Sequence, residues 1–508
     1  MSVNSTFVPV RRSLLGLLLG AVACVGVLAV TDPPGPGLDP DTMSYVGAAV
    51  SLARQHVLRI PAGPWSEADS TAALGHFPPL FPVAIAVPVM LGAPPIQAAR
   101  GIEAASAFVT VALAAWLAGT AAGAAAGLLA GGVLLVTESF AFDHWQVVSE
   151  PLCLALLMAT LVLMSVSKRP WTYGLAAAAA GMVRYAAFAS TGAVALWAYG
   201  TSGSRPGRVR RAALAAAPSI LIQLAWWLRT AAEQGEVRRL GLRGGLGPTF
   251  GELAGTLGAW LAPAVPFPWL AAPIAAAVGC FGLVVMLKVG RADGGTGPER
   301  PVAPRRVLSA AALLMSCYAA LVLFSRLLVD RTIPFDERIL SPFIVLAEVA
   351  VATAFGAAWR HWRRGERLAV ALVWALWLAG SARATVAAVR DALDGGWGYA
   401  SDEWRSSRLG EWLRTEARGS AIFSNNTATG YFVTGRPTRD VPETLDEDSV
   451  AAFGRVLRER RGVLVRFPFD LREGASPDSL ANRLGLIEMA RFADGVVWRP
   501  GGPERTRR

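Results

Sequence analysis

The feature that most limits the fold of this chain is a series of apolar runs, each long enough to cross a lipid bilayer. A helix needs about 20 apolar residues for one crossing, and such runs recur between Ser13 and Ala388. Of the 508 residues, 53% are hydrophobic and only 17% are charged, whereas a soluble protein carries about 25% charged residues. The sequence therefore predicts a polytopic α-helical membrane protein with about 10–12 transmembrane or re-entrant helices.

Basic residues cluster between the apolar runs, and these clusters set the predicted orientation. Loops rich in Lys and Arg remain on the cytoplasmic side of a membrane. A consistent topology results when the clusters at 11–12, 168–169, 205–211, 288–306 and 360–367 are all cytoplasmic. The N terminus is then inside, and the residues after 391 are outside. The net charge of +11 is explained by this topology and does not indicate a nucleic-acid partner. The Ala-, Gly- and Arg-rich composition is typical of a GC-rich bacterial genome, so we expect the bacterial plasma or inner membrane.

The sequence also argues against several classes of function. The four cysteines lie inside apolar runs, which favours core packing over disulfides or metal ligands. No Walker loop, GxSxG elbow or HExxH motif is present, so a nucleotide-driven pump or a common hydrolase finds no support. We expect neither a bound metal nor a separate cofactor.

Two segments depart from the simple pattern of one crossing per run. Residues 171–200 form an apolar run longer than one crossing needs, and Arg184 is the one charge in it. Two short helices that meet at Arg184-Tyr185 keep both flanking basic clusters on one side and bring the arginine towards the outer face. Residues 77–91 are interrupted by four prolines, and we expect them to form a half-buried or re-entrant piece. Residues 231–261 are predicted to be an outer loop, and 265–287 the crossing that follows it.

From about Asp391 the composition changes to that of a small α/β domain. Residues 394–398 are rich in glycine and are predicted to be a linker. Helix-like and strand-like patterns then alternate, with helices at 404–417 and 449–460 and strands at 421–424 and 462–467. The sequence thus divides into a transmembrane part, residues 1–390, and an extracytoplasmic α/β domain, residues 391–508.

The first outer loop carries the candidate catalytic residues. Asp39 and Asp41 follow the first apolar run directly, and Asp41 and Tyr45 share one side of a helix that begins at Pro40. A carboxylate here can deprotonate an acceptor hydroxyl. The alternatives are that Asp41 complements the helix dipole and that Asp39 is a cap or loop carboxylate. His76, at the proline-stiffened end of the loop, is a candidate contact for a phosphate or an acceptor, and rigid loop closure is its alternative role.

A second outer loop collects polar residues before another helix. Asp143, His144 and Glu150 lie within eight positions of one another, and we select them as substrate-binding candidates that face the same cavity as Asp41. The alternative is structural, with Ser149 as a helix cap and Glu150 in the first turn.

Arg184 and Arg338 are the candidate phosphate-binding residues, because a guanidinium group is permanently charged and binds phosphate oxygens in pairs. An arginine within an apolar segment is a functional candidate by default, and internal pairing or snorkelling is the alternative for Arg184. Arg338 follows Asp336 and Glu337, and pairing with these two neighbours is the alternative for it.

These motifs recur in an order that resembles the GT-C superfamily of integral-membrane glycosyltransferases. The chain is similar to the bacterial branch related to protein O-mannosyltransferases and aminoarabinose transferases. The matching motifs are Asp41-x-x-x-Tyr45, Pro78-Pro79-Leu80, Ser149-Glu150-Pro151, Arg184-Tyr185 and Arg338-x-Leu340-x-Pro342. The resemblance covers about Ser13 to Ala388, and the tail resembles the extracytoplasmic domain often fused to such enzymes.

The resemblance implies an inverting glycosyltransferase whose donor is a polyprenyl-phosphate-linked sugar. The acceptor would be a glycolipid, a polysaccharide or a protein, and the membrane lipid would be a further partner. Asp41 would be the general base, and Tyr185 would join Arg184 in substrate binding. Many relatives have Asp-Glu in the first loop, whereas Thr42 follows Asp41 here. Asp39 is therefore the second candidate base.

Two other functions compete with this hypothesis. A transporter or flippase for lipid-linked saccharides would use the same arginines and a lateral groove, but it would need no outer-loop base. A non-catalytic assembly or sensor protein would leave the outer carboxylates unexplained.

Overall fold

The computed structural model describes residues 7–201, 204–234, 246–263, 302–330, 332–468 and 475–501. In chain order, the helices are α1 (Phe7–Val30), α2 (Pro40–Gln55), α3 (Leu80–Met90), α4 (Pro95–Ala122), α5 (Ala124–Val136), α6 (Glu138–His144), α7 (Glu150–Val166), α8 (Pro170–Val183), α9 (Ala189–Gly200), α10 (Arg205–Gln234), α11 (Leu246–Leu261), α12 (Pro304–Phe324), α13 (Glu337–Ala358), α14 (Arg364–Gly395), α15 (Asp402–Arg405), α16 (Arg408–Thr415), α17 (Thr427–Thr434), α18 (Glu447–Glu459) and α19 (Pro477–Leu484). Short 3₁₀ turns lie at Tyr185–Phe188 and Trp359–His361, and a π turn lies at Ser325–Val329.

Helices α1 to α14 form a bundle of membrane-spanning length. Within the described ranges, six helices are long and apolar enough to cross a bilayer: α1, α4, α10, α12, α13 and α14. The pair α5 and α6, bent by 64° at its break, makes a seventh span when it is counted as one. Helices α3 and α7 are apolar but shorter. The predicted polytopic helical protein is therefore confirmed, while the predicted crossing at 265–287 lies outside the described residues.

Small side chains allow α1 and α4 to pack closely along their lengths. Ala23 and Val27 of α1 share a buried cluster with Ala104 and Ala107 of α4, as is common where helices associate in membranes. At one end of this pair, Arg100 of α4 donates to the Leu28 carbonyl oxygen at 2.6 Å. We call this end, where residues 31–79 form the first loop, the loop end of the bundle.

The segment around Arg184 is a helical hairpin, as predicted. Helix α8 ends at Val183, a 3₁₀ turn follows, and α9 runs back from Ala189. The two arms approach each other where the Ser190 hydroxyl donates to the Ala177 carbonyl oxygen at 3.5 Å. Both arms lie against α10, and Thr191 and Ser219 are joined by a 2.6 Å hydrogen bond. Arg184 therefore lies at the tip of the hairpin.

The proline-rich segment after the first loop forms α3, which is only 11 residues long. Pro79 occupies its N-cap position, and Pro88 lies within it. Its buried residues Phe81 and Ile85 join a hydrophobic cluster with Tyr45 of α2 and Ala98 of α4. At about 1.5 Å per residue, α3 is too short to cross a bilayer, and it packs against α2 and α4 as a half-buried piece.

The predicted outer segment at 231–261 contains a helix in its second half. Helix α11 occupies this stretch, and its residues Leu253, Leu257 and Trp260 pack in a cluster with Tyr318 and Leu340 of the bundle. Their spacing of three and four residues places all of them on one helix face. That apolar face packs against α12 and α13. Within the described ranges α11 is not one of the helices long and apolar enough to cross a bilayer, so the outer position of the segment stays a prediction.

The C-terminal residues build a six-stranded sheet with the order β2-β5-β4-β6-β8-β7. Its first four strands in this order are parallel, and β8 and β7 are antiparallel to their neighbours. The strands of the chain are β1 (Arg59–Ile60), β2 (Ala62–Gly63), β3 (Ala72–Ala73), β4 (Ile422–Ser424), β5 (Thr438–Arg439), β6 (Val463–Arg466), β7 (Ile487–Phe492) and β8 (Gly495–Arg499). The strands predicted at 421–424 and 462–467 are confirmed as β4 and β6, and the helix at 449–460 as α18.

One strand of this sheet, β2, comes from the first loop of the membrane part. Ala62 and Gly63 pair in parallel with Thr438 and Arg439 of β5. The Arg439 guanidinium holds the loop beyond β2, because it donates to the carbonyl oxygens of Pro64, Glu67, Ala68 and Asp69 at 2.7–3.3 Å. The first loop is thereby fixed to the C-terminal sheet. The division of the chain at residue 390 stays a prediction.

Candidate active site

The start of α2 is fixed by Thr42, which the sequence analysis did not select as a site residue. Asp39 is the N-cap residue of α2, and its backbone N–H donates to Thr42 Oγ1 at 2.9 Å. The Thr42 hydroxyl in turn donates to the Val147 carbonyl oxygen at 2.8 Å. The Asp-x-x-Thr spacing of a helix N terminus is the sequence signal for this contact. Thr42 therefore holds the two candidate bases against the second loop.

Substitution of Thr42 gives a test of this anchor that is independent of any activity. Valine keeps the shape but removes the hydroxyl, so Thr42→Val leaves a buried carbonyl and a backbone N–H without their partner. Such a loss costs about 1–3 kcal/mol, whereas Thr42→Ser keeps both bonds. We expect a lower unfolding midpoint in detergent for the valine variant and a much smaller change for serine. Equal midpoints for the two variants would contradict the anchoring role.

Arg338, in the first turn of α13, lies at the centre of a cluster of carboxylates from the starts of two other helices, α2 and α7. Its Nη1 lies 2.6 Å from Asp39 Oδ2, its Nη2 lies 3.3 Å from Asp41 Oδ2, and its Nε lies 2.9 Å from Glu150 Oε1. The alternative pairing with its sequence neighbours is not observed, because Asp336 is the N-cap of α13 and accepts from the Ile339 N–H at 2.9 Å. The cluster thus joins the starts of α2, α7 and α13.

Arg184 reaches the same cluster from the tip of the α8–α9 hairpin. Its Nη1 lies 2.6 Å from Glu150 Oε1 and donates to Ser149 Oγ at 3.2 Å. One oxygen of Glu150, a residue only 1% exposed, therefore bridges two guanidinium groups. Ser149 occupies the N-cap position of α7, but its hydroxyl bonds to Tyr45 Oη at 3.1 Å and to Arg184 rather than capping the helix.

Burial raises the pKa of the Asp39 carboxyl to about 6. The charge of Arg338 lowers the pKa, while the negative charges of Asp41, Glu150 and Asp336 raise it. Because a general base works best when its pKa lies near the operating pH, Asp39 has the electrostatic setting of a base.

Asp143 and His144 lie behind this cluster, in the interior of the bundle. Both are about 1% exposed. His144 Nδ1 lies 2.6 Å from the Phe140 carbonyl oxygen. Glu103 of α4, which the sequence analysis did not select, is also 1% exposed. In the part of the chain that the structure describes, no three His, Cys, Asp or Glu side chains are arranged to hold a metal ion.

The remaining candidates lie at the edges of the cluster. Tyr45 supports it through Ser149 and packs against the ring of Phe77. Tyr185 donates to the Gly75 carbonyl oxygen at 3.2 Å and accepts from the Trp226 indole at 2.8 Å, so it anchors the end of the first loop. His76 is exposed. The structure brings together five of the predicted site residues, namely Asp39, Asp41, Glu150, Arg184 and Arg338.

The predicted linker at 394–398 contacts the first loop directly. Leu38 donates to the Trp397 carbonyl oxygen at 3.3 Å and accepts from the Tyr399 N–H at 2.9 Å. On the other side, Gly37 donates to the Trp145 carbonyl oxygen at 2.8 Å and accepts from the Val147 N–H at 2.9 Å. Gly37 and Leu38 thus lie between two other segments, and the residues that follow α14 are part of the wall of the site.

Neither protein-family models nor curated protein sequences give a match to this chain. Several solved structures, in contrast, align with it. ArnT from Cupriavidus metallidurans, bound to undecaprenyl phosphate, aligns with a TM-score of 0.58 and 15% identity over 96% of this chain and 99% of that chain. Arabinofuranosyltransferase AftD from Mycobacteria aligns with a TM-score of 0.55 and 16% identity over 96% of this chain and 42% of that chain.

A third similar structure is the archaeal oligosaccharyltransferase AglB from Archaeoglobus fulgidus, in complex with an inhibitory peptide and a dolichol-phosphate. It has a TM-score of 0.51 and 12% identity over 89% of this chain and 69% of that chain. All three are GT-C glycosyltransferases. The chain has the GT-C fold. This fold was the one implied by the sequence motifs, and in this chain the GT-C fold brings the carboxylate–arginine cluster to the loop end of the bundle.

Proposed function

We propose that this protein is an integral-membrane glycosyltransferase that moves a sugar from a polyprenyl-phosphate-linked donor to an acceptor. The observation that carries the proposal is the convergence of Arg184 and Arg338 on Glu150, beside Asp39 and Asp41, at one end of a bundle with the GT-C fold. Two of the similar structures hold a lipid phosphate, undecaprenyl phosphate in one and dolichol-phosphate in the other.

The two arginines are suited to bind the phosphate of such a donor. A guanidinium group presents several N–H donors in a planar fork and keeps its charge at every relevant pH. The Arg338 side chain is about 25% exposed, so its N–H groups can be reached from the loop end. A phosphate that binds to Arg338 competes with Asp39 and Asp41 for the same donors. Donor binding therefore releases a carboxylate next to the place where the acceptor must be activated.

In the transfer step, the released carboxylate takes the proton of the acceptor hydroxyl. The acceptor oxygen then forms a bond to the anomeric carbon of the donor sugar, and the bond between that carbon and the phosphate oxygen breaks. The electron pair leaves with the polyprenyl phosphate, whose added negative charge is stabilised by Arg184 and Arg338. A single displacement of this kind inverts the anomeric configuration.

The loop end would face the outside of a bacterial plasma membrane, because the basic clusters between the helices belong on the cytoplasmic side. The donor would enter sideways from the lipid, and the acceptor, a glycolipid, a polysaccharide or a protein, would come from outside. No nucleotide site is needed, since the lipid phosphate is itself the leaving group.

Neutralising the two candidate bases tests the proposal. Membranes that contain the wild type, Asp41→Asn, Asp39→Asn or the double variant are incubated with radiolabelled polyprenyl-phosphate sugars and an acceptor extract. We expect each single variant to lose about 10²-fold in transfer rate, the usual contribution of a general base, and the double variant to be inactive. Asp32→Asn is the matched control, because Asp32 lies at the same end but is 70% exposed and pairs with Arg100.

The outcomes separate the candidate functions. Transfer by the wild type that collapses in the double variant supports the enzyme and its base. No transfer with any donor, together with movement of labelled lipid-linked sugar across the membrane, would contradict the proposal and favour a flippase.

A further inference from the structure

We propose that the segment Trp397–Tyr399, which joins the membrane bundle to the C-terminal sheet, positions the Asp39 carboxylate through its backbone contact with Leu38. The catalytic consequence of this proposal rests on the proposed function, whereas the contact between Leu38 and the segment is independent of it. It makes this segment part of the catalytic machinery, as a positioning element that touches neither donor nor acceptor.

The contact is a short backbone ladder. Leu38 is paired with Gly398, since its N–H and its carbonyl oxygen bond to Trp397 and Tyr399 on either side of that glycine. Asp39 follows Leu38 directly, and its carboxylate is paired with the Arg338 guanidinium at 2.6 Å. A shift of the ladder therefore changes the position of the carboxylate relative to Arg338.

Gly398 is required by this ladder for two independent reasons. Its φ of +57° lies in the left-handed region, which residues with a Cβ rarely adopt. A Cβ added there would also lie 2.1 Å from the Leu38 carbonyl oxygen and 3.0 Å from its carbonyl carbon. Both are backbone atoms, so no side-chain movement can relieve the overlap. Any other residue at 398 must push Leu38 away.

The opposite side of the ladder is equally close. A Cβ on Gly37 would lie 2.8 Å from Gln146 Cγ and 3.1 Å from Trp397 Cβ. Trp397 is itself held by Phe142, with ring centroids 4.8 Å apart in an edge-to-face arrangement. Residues 37 and 38 therefore have little freedom to move between the second loop and the segment after α14.

The segment is also fixed to the C-terminal sheet. The Tyr399 hydroxyl accepts from Thr429 Oγ1 at 3.0 Å, and its ring stacks on Phe432 with centroids 5.0 Å apart. Both partners belong to α17, the helix that follows β4. Tyr399 thus connects α17 to the residue that precedes the catalytic carboxylate.

The pKa of Asp39 depends on its surroundings and provides a readout of the positioning role. A merely structural role of the segment would leave this pKa unchanged. The titratable and charged groups that act on it come from α2, α7, the start of α13 and the segment after α14: Asp41, Glu150, Asp336, Arg338 and Tyr399. Burial is the largest cause of its raised pKa. A variant that lets Asp39 move into solvent must therefore lower its pKa towards the ordinary value of about 4.

The test compares Gly398→Ala with Gly395→Ala. Gly395 ends α14 only three positions away, and a Cβ there would meet nothing within 4 Å. We expect Gly398→Ala to lower kcat about 10²-fold, as a misplaced group does, with little change in the donor KM. We also expect the acid limb of its kcat/KM–pH profile, which reports the free enzyme, to lie at lower pH than that of the wild type. Gly395→Ala should match the wild type in both.

The Asp39 titration is measured separately by infrared spectroscopy of its carboxyl band, assigned with Asp39→Asn. This measurement needs no turnover, so it separates the two proposals. A lowered pKa in Gly398→Ala without any transfer by the wild type would sustain the positioning role and refute the proposed function. Transfer by the wild type with an unchanged titration and kcat in Gly398→Ala would refute the positioning role. If Gly398→Ala does not fold, Gly37→Ala serves instead, and its titration must move in the same direction.

Discussion

Replacement of Arg338 by glutamine is expected to reduce sugar transfer about 10³-fold. Loss of a single donor to a developing negative charge costs 10²–10³ in kcat, and Arg338 presents three nitrogens to the cluster, two of which would be needed by a phosphate. The same change leaves Asp39, Asp41 and Glu150 without their shared cation. We therefore expect lower stability as well, which a thermal unfolding midpoint in detergent will show.

The two effects can be separated by a second substitution. Arg338→Gln combined with Asp39→Asn removes one negative charge from the cluster, so it should recover part of the lost stability without recovering transfer. Arg326→Gln is the control for the loss of a buried, ion-paired arginine. Arg326 lies at the same end of the bundle, but its partners among the described residues are Glu252, at 2.7 Å, the Ile333 carbonyl oxygen and the Phe335 ring, none of which belongs to the cluster. Transfer per folded molecule should be retained in this control. If the control loses as much transfer as Arg338→Gln, the phosphate role of Arg338 is wrong.

The parts of the site that the sequence predicted are those governed by local rules. Pro40 at the first helical position and the spacing of Asp41 and Tyr45 predicted α2, which is present. The excess length of the apolar run around Arg184, together with the flanking basic clusters, predicted the hairpin. In both cases the signal lies within one short, continuous stretch of sequence and depends on local spacing and charge alone.

The parts that the sequence did not predict depend on contacts between distant segments. Arg338 pairs with residues that lie 188 to 299 positions away, while its neighbour Asp336 caps α13. Residues 394–398 were interpreted as a linker because they are rich in glycine. In the structure, the conformation of Gly398 is fixed by its contact with Leu38. Strand β2 has only two residues, too few for an alternating pattern to predict it. Each of these features becomes visible only once the bundle has brought the segments together.

Replacement of Glu150 by glutamine is expected to have the largest effect on stability. One buried oxygen of this side chain lies 2.6 Å from Arg184 and 2.9 Å from Arg338. Removing one member of a buried ionic group costs about 3–5 kcal/mol, because the remaining charges are left uncompensated. Arg338 keeps Asp39 and Asp41 as partners, whereas Arg184 keeps only the Ser149 hydroxyl among the contacts described here. Arg184 should therefore account for most of the loss.

Glu348→Gln is the matched control for this prediction, since Glu348 is also buried, at 2% exposure. Its described partners are uncharged: the Thr137 hydroxyl at 2.7 Å and the Trp260 indole at 2.9 Å. A glutamine carbonyl oxygen can accept from both, so we expect a change of less than about 1 kcal/mol. Denaturant unfolding measures both variants. Similar losses would mean that Glu150 acts as a hydrogen-bond acceptor and not as a charge. In that case Arg184 and Arg338 would not need the negative charge of Glu150. The negative charge that a donor phosphate replaces would then come from Asp39 and Asp41.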